Sequence, residues 1–132
     1  MSDLQPVLRA TEFRIDETER IHGTGVLVVA VHGDTDMYVV DELEVRLSEA
    51  IDEAPTALVL DLTGVTFLDS MALGVLLGGL KRVGATGGQL RVVTPRAEIR
   101  RIFEVTMLDQ LFDIDSSRDE ALAATTAPAA PS

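Results

Sequence analysis

Two short apolar runs constrain the fold of this chain most: Val26-Leu27-Val28-Val29-Ala30-Val31 and Ala57-Leu58-Val59-Leu60-Asp61-Leu62. A strand with one wet face alternates apolar and polar residues, so a near-unbroken run marks a strand covered on both faces. A helical pattern follows each run. After the first, Val40, Leu43, Leu47, Ala50, Ile51 and Ala54 recur at helical spacing with acids between them. Asp36 is the expected N-cap of that helix and Pro55 its stop. After the second run, Leu73, Leu76, Leu77 and Leu80 form a stripe on a helix that starts near Ser70. Gly74 and Gly78 lie four apart on the same helix. Each costs up to about 1 kcal/mol of helix propensity, which close approach of another backbone would justify.

The remaining segments fit the same plan. Glu12 to Asp16 reads as a first strand and Gly25 to His32 as a second, with a hairpin turn at Ile21 to Gly25. Gly84 to Gly88 is a loop and Gln89 to Val93 a strand. Thr94 is a candidate N-cap with Pro95 in the first turn, and Ile99, Ile102 and Phe103 face the core. Leu111 to Ile114 is a short edge strand. Ser117 and Glu120 form a capping box for a last helix, Arg118 to about Ala124. The order predicts one α/β domain over residues 11–124, a mixed sheet of four to five strands with about four helices packed on it. Residues 1–10 are expected to be flexible. Residues 125–132, rich in Thr, Ala, Pro and Ser, are expected to be disordered.

Composition narrows the function. The chain of 132 residues has no cysteine, which excludes disulfides, thiolate zinc sites and cysteine nucleophiles. There is no signal pattern and no apolar run of membrane-spanning length, so a soluble cytoplasmic protein is expected. A net charge of −11 argues against nucleic acid and anionic membranes as partners. The charge is also unevenly placed. Residues 34–53 carry eight acids against Arg46 alone, and residues 81–101 carry six bases against Glu98 alone. Such a domain selects partners by charge complementarity, or else these are ordinary solvated helix faces.

Asp69-Ser70 stands between the second apolar run and its helix. A hydroxyl there meets unpaired N–H groups and the positive end of the helix dipole, which favour a phosphate. Serine is also a common N-cap and needs no function in that place. Asp69 is able to cap the helix by itself, which leaves Ser70 without an obligatory structural role.

Three segments together carry a family resemblance. Gly33-Asp34-Thr35-Asp36 looks like a Gly-Glu-x-Asp motif at a strand exit. Asp69-Ser70 with Leu73-Gly74-Val75-Leu76 looks like Asp-Ser-x-Gly-Leu-Gly-Val-Leu. Gly88 to Val93 followed by Arg100-Arg101-Ile102-Phe103 looks like a fourth strand and third helix. The set resembles the STAS domains, specifically the stand-alone anti-sigma factor antagonists of bacteria, over roughly Phe13 to Ala124. The resemblance implies a non-enzymatic regulator that binds an anti-sigma factor with serine kinase activity and releases a sigma factor. It implies Ser70 as the phosphorylation site, reset by a metal-dependent serine phosphatase. Asp34, Asp36, Asp69, Met71 and Leu73 are the expected partner-binding residues, and no cofactor is expected. Three positions depart from the family pattern: Met71 replaces a small hydroxyl residue, Ala72 a glycine, and Met107 a common glycine. A left-handed conformation at Met107 would strain that helix end by about 1 kcal/mol.

Other readings have less behind them. Asp34, Asp36, Asp61 and Asp69 would suit magnesium in a receiver domain, but the late lysine such a site needs is missing. Ser70 is not in a Gly-x-Ser-x-Gly elbow, and His22 and His32 are weak candidates for a catalytic base or a metal site. Gly84 to Gly88 lacks the Lys-Ser/Thr of a phosphate loop. A scaffold or sensor module of a larger assembly is the alternative within the same fold, and a nucleotide or small-ligand module is another. A monomer or weak homodimer is expected.

Overall fold

The computed structural model describes residues 12–126. Its elements are β1 (Arg14–Ile15), β2 (Glu19–Ile21), β3 (Val26–Thr35), α1 (Val40–Asp52), β4 (Ala57–Leu68), α2 (Ser70–Ala85), β5 (Gln89–Val93), α3 (Ala97–Val105), β6 (Asp113–Asp115) and α4 (Arg118–Thr126), with a 3-10 turn at Leu108–Gln110. The expected flexible N-terminus and most of the expected disordered tail lie outside the described residues. Thr125 and Thr126, assigned to that tail, instead end α4.

The sheet runs β1-β3-β4-β5-β6, with β2 also paired to β3. The β3–β4, β4–β5 and β5–β6 pairs are parallel, while β1 and β2 pair antiparallel with β3. The first strand is thus shorter than expected and is followed by a separate one. β2 forms the hairpin with β3 through the expected turn, where Gly23 and Gly25 have φ of 77° and 74°.

The two apolar runs are buried on both faces, as their composition requires. Leu27, Val29 and Val31 of β3 and Leu58, Leu60 and Leu62 of β4 face a large core with α1, α2 and α3. Val26, Val28, Ala57 and Val59 face the opposite side, where Ala121 of α4 covers them. Phe103 and Phe112 close the large core edge to face, with centroids 5.5 Å apart.

Several local expectations are corrected. Asp36 does not cap α1. That helix starts at Val40 after an uncapped Val39. The Asp36 carboxylate accepts the Tyr38 N–H at 3.0 Å and its carbonyl accepts the Val39 N–H at 3.1 Å, making a turn before the helix. Thr94 does not cap α3, which starts at Ala97. Its N–H donates to the Asp115 carbonyl at 3.0 Å, so it continues the sheet. Gly74 and Gly78 meet no neighbouring backbone: a Cβ at either would find nothing within 4 Å. Gly79 is the contact glycine: a Cβ there would lie 3.7 Å from the Leu47 and Ile51 side chains. Helix α2 also extends to Ala85, into the expected loop. The capping of α4 is close to expectation. Ser117 Oγ accepts the Glu120 N–H at 3.1 Å, but Glu120 reaches the Ser116 N–H at 3.0 Å rather than that of Ser117.

Met107 takes the left-handed conformation, φ 62°, after α3, and Ala54 does so after α1, φ 52°. A Cβ is disfavoured in both places. Met107 is exposed, so its side chain offsets little of that cost. Met107→Gly is expected to stabilise the domain by about 0.5–1 kcal/mol, read as a higher melting temperature.

α4 is held by charge as well as by Ala121. Arg118 Nη2 lies 2.9 Å from Asp61 Oδ2, and Nη1 lies 2.6 Å from Glu19 Oε2. Burial alone would raise the Asp61 pKa. Hydrogen bonds from Thr63 and Arg118 outweigh it and hold the carboxyl below its ordinary 3.8. A depressed carboxyl contributes stability that is complete above its unfolded pKa and lost as pH falls through the folded one. Chemical denaturation as a function of pH should therefore show stability falling below about pH 4, with Asp61→Asn flattening that part of the profile.

Candidate functional site

β3 and β4 run beyond the expected ends at His32 and Leu62, through polar residues, to Thr35 and Leu68. Their register shifts twice, between Ala30 and His32 and between Gly33 and Asp34, with the extra residue on β4 each time. Such bulges bend a strand and redirect its side chains. The second leaves Thr66 in position to donate from Oγ1 to Asp34 Oδ1 at 2.7 Å. At the strand ends the Asp69 N–H donates to the Thr35 carbonyl at 3.3 Å. The 33–36 and 66–70 segments, distant in sequence, are stitched together by these two bonds.

Gly33 is essential to this arrangement. Its φ is +86°, and a Cβ there would lie 2.2 Å from the Glu12 carbonyl oxygen. No side chain fits, and the backbone conformation disfavours one.

Asp69 caps α2: its Oδ1 accepts the Ala72 N–H at 2.9 Å. Ser70 is therefore the first helical residue, and its side chain is exposed. Its hydroxyl makes no hydrogen bond among the described residues. Large apolar side chains are exposed in the segments on either side of these strand ends: Met71 is 52% exposed, Phe67 48%, Met37 55% and Tyr38 87%. The expected contact residues divide accordingly. Asp34 and Asp36 are half-buried and hydrogen-bonded at the end of β3, while Asp69 and Met71 flank Ser70. Leu73 is only 5% exposed and packs in the large core, so it supports α2 from beneath rather than meeting a partner. Met37, Tyr38 and Phe67 were not legible as surface residues. For Met37 and Tyr38 the only signal is large apolar character next to acidic residues, and Phe67 lies among the apolar residues at the end of β4.

The alternative chemistries find no such convergence. Asp61 is committed to Thr63 and Arg118. Among the described residues, no group of three or more His, Cys, Asp or Glu side chains is placed to hold a metal ion. His32 Nε2 lies 2.9 Å from Asp16 Oδ2 at the β1–β3 edge, and His22 is exposed in the hairpin turn. No helix among the described residues is long and apolar enough to cross a membrane.

The sequence model of the STAS domain matches residues 15–121. This chain belongs to the STAS family. An anti-sigma F factor antagonist of Paenibacillus polymyxa is 30% identical over 107 residues, covering 80% of this chain and 92% of that protein. The anti-sigma-F factor antagonist RsfB of Mycobacterium tuberculosis is 33% identical over 98 residues, covering 74% and 80%. The crystal structure of an anti-sigma factor antagonist from Mycobacterium paratuberculosis superposes with a TM-score of 0.78 at 33% identity, covering 86% of this chain and 96% of that one. The single α/β domain and its mixed sheet are thus those of the STAS fold.

Gly33→Ala is expected to destabilise the domain by at least about 2 kcal/mol, measured by denaturant unfolding. Gly23→Ala, with a similar φ but open space around it, should cost less.

Proposed function

We propose that this chain is an anti-sigma factor antagonist of the cytoplasm, with the Ser70 hydroxyl as its switch. It acts by docking rather than by catalysis. Its partner is an anti-sigma factor with serine kinase activity, and docking releases the sigma factor that the partner holds. Phosphorylation of Ser70 by the same partner ends the contact, and a metal-dependent serine phosphatase restores it.

One observation carries the reading. Ser70 is exposed and unbonded beside a cap supplied by another residue, and Met71, Phe67, Met37 and Tyr38 are exposed in the segments next to the paired ends of β3 and β4. Large apolar residues left exposed near one paired strand end suit a protein-binding site. A capping serine would have its oxygen committed to the helix. Here that oxygen is available to a phosphoryl donor. Relatives named as anti-sigma factor antagonists support the antagonist part of this reading.

The switch follows from electrostatics. A phosphate adds about −1.5 to −2 charges at pH 7. In the free protein the α2 N-terminus partly offsets its repulsion from Asp69. At a packed interface the group has also to lose its water, and a binding loss on the order of a thousandfold is reasonable. Ser70→Asp is expected to weaken binding to the cognate anti-sigma factor by about tenfold or more, while Ser70→Ala binds and cannot be modified. Titration calorimetry with the purified partner and intact mass after incubation with ATP read the two effects. Equal binding by wild type, Ser70→Ala and Ser70→Asp would remove the switch.

A further inference from the structure

The surface beside Ser70 continues into a groove between α1 and α2, with a volume of about 350 Å³. Met71 stands at its Ser70 end and Arg82 at the other, a span of about 16 Å along the helix axis. Leu47 and Ile51 form an apolar floor. Asp41 and Glu44 line the α1 side, and Gly74 and Gly78 line the α2 side.

The two walls are unlike in ways that point outward. Within the folded chain nothing requires a glycine at 74 or 78, since a Cβ would meet open space at both. Each glycine forgoes about 1 kcal/mol of helix stability relative to alanine. What their absent side chains provide is depth, so that another backbone can lie close to α2. On the opposite wall, Asp41 and Glu44 form no ion pair among the described residues. Arg82 is already engaged by Ser48 Oγ at 2.8 Å and Asp52 Oδ1 at 3.5 Å. The groove is therefore apolar below and negative along one side, with its basic end neutralised. It lies between two helices and offers no strand edge, so an extended peptide would find no backbone hydrogen-bond partners there. An amphipathic helix brings its backbone bonds already satisfied.

We propose that this groove docks a basic amphipathic helix of about three turns, contributed by the partner protein. Apolar residues of that helix enter above Leu47 and Ile51, and its Lys or Arg side chains face Asp41 and Glu44. The proposal rests on the antagonist reading only for the identity of the partner; the groove and its preference are properties of this chain.

The test needs neither kinase nor phosphate. Two helix-forming synthetic peptides of about 14 residues share one leucine stripe, one with lysine and the other with glutamate on the polar face. Each is titrated into the full isotope-labelled chain and followed by amide chemical shifts. The lysine peptide is expected to shift the amides of Asp41, Glu44, Gly74 and Gly78, and the glutamate peptide to leave them unmoved. Asp41→Asn with Glu44→Gln should weaken binding by at least about fivefold, and added salt should do the same. Gly78→Leu fills the groove and should abolish the shifts while circular dichroism reports a folded domain; if it does not fold, Gly74→Gln serves at an exposed position. Ser70→Asp should still bind the lysine peptide, so a failure of the switch leaves this result standing. Equal binding of the two peptides, or undiminished binding by a folded Gly78→Leu, overturns the proposal. So does concentration-dependent dimerisation that Gly78→Leu removes in the absence of any peptide effect, since the occupant would then be a second copy of this chain.

Discussion

The parallel pairing of β3 with β4 is the interaction on which the rest of the molecule depends. It begins in the two apolar runs, where a slip of one residue would exchange the side chains of the large core with those of the smaller cluster under α4. It then continues through a mixed segment in which only Val65 and Leu68 join the large core. There the hydrogen-bond ladder and the two bulges guide the chain, and the strands deliver Gly33–Asp36 and Phe67–Ser70 to the same place. The site is a product of pairing beyond the two apolar runs, and its precision derives from the rigidity of the pairing within them.

The two faces of the sheet are stabilised differently. Three helices pack an aliphatic core against one face, with Phe103 and Phe112 as its buried aromatics. The other face carries only α4, and its apolar cluster is small. Polar links supplement it: Arg118 joins Asp61 of β4 to Glu19 of β2, and Arg91 forks onto Asp115 at 2.8 and 3.1 Å on the neighbouring strands. Asp61, the one interruption in an apolar strand, is explained by this arrangement. Half of the basic segment 81–101 is used in the same manner, with Arg82, Arg91 and Arg100 bound within the chain. The charge asymmetry that survives in the fold is the acidic side of α1.

Much of this was legible in the sequence, because burial and helical spacing leave periodic signatures. The central strands, the first three helices and the cap at Asp69 follow from local patterns. The failures share a cause, which is that they depend on what lies opposite. Residues 33–35 and 63–67, which lack the unbroken apolar pattern of the central runs, extend the strands by pairing with each other. Asp36 has the chemistry of an N-cap, but the chain turns once more before the helix begins. Leu73 sits in a motif that suggested a contact surface, yet its position on α2 points it into the core. Met37 and Tyr38 are exposed in the turn between β3 and α1, and Phe67 beside the buried end of β4. Gly74 and Gly78 differ from Gly79 only in which side of α2 they occupy, and sequence spacing cannot distinguish an empty side from a packed one.

The division of tasks between Asp69 and Ser70 has a consequence for wear. Were one oxygen both the anchor of α2 and the reactive group, every round of modification would loosen the first turn and expose the core beneath it to proteases. With the carboxylate holding the helix, the modification proposed for the hydroxyl would leave the scaffold in shape through each cycle, and the same molecule would be reused instead of replaced.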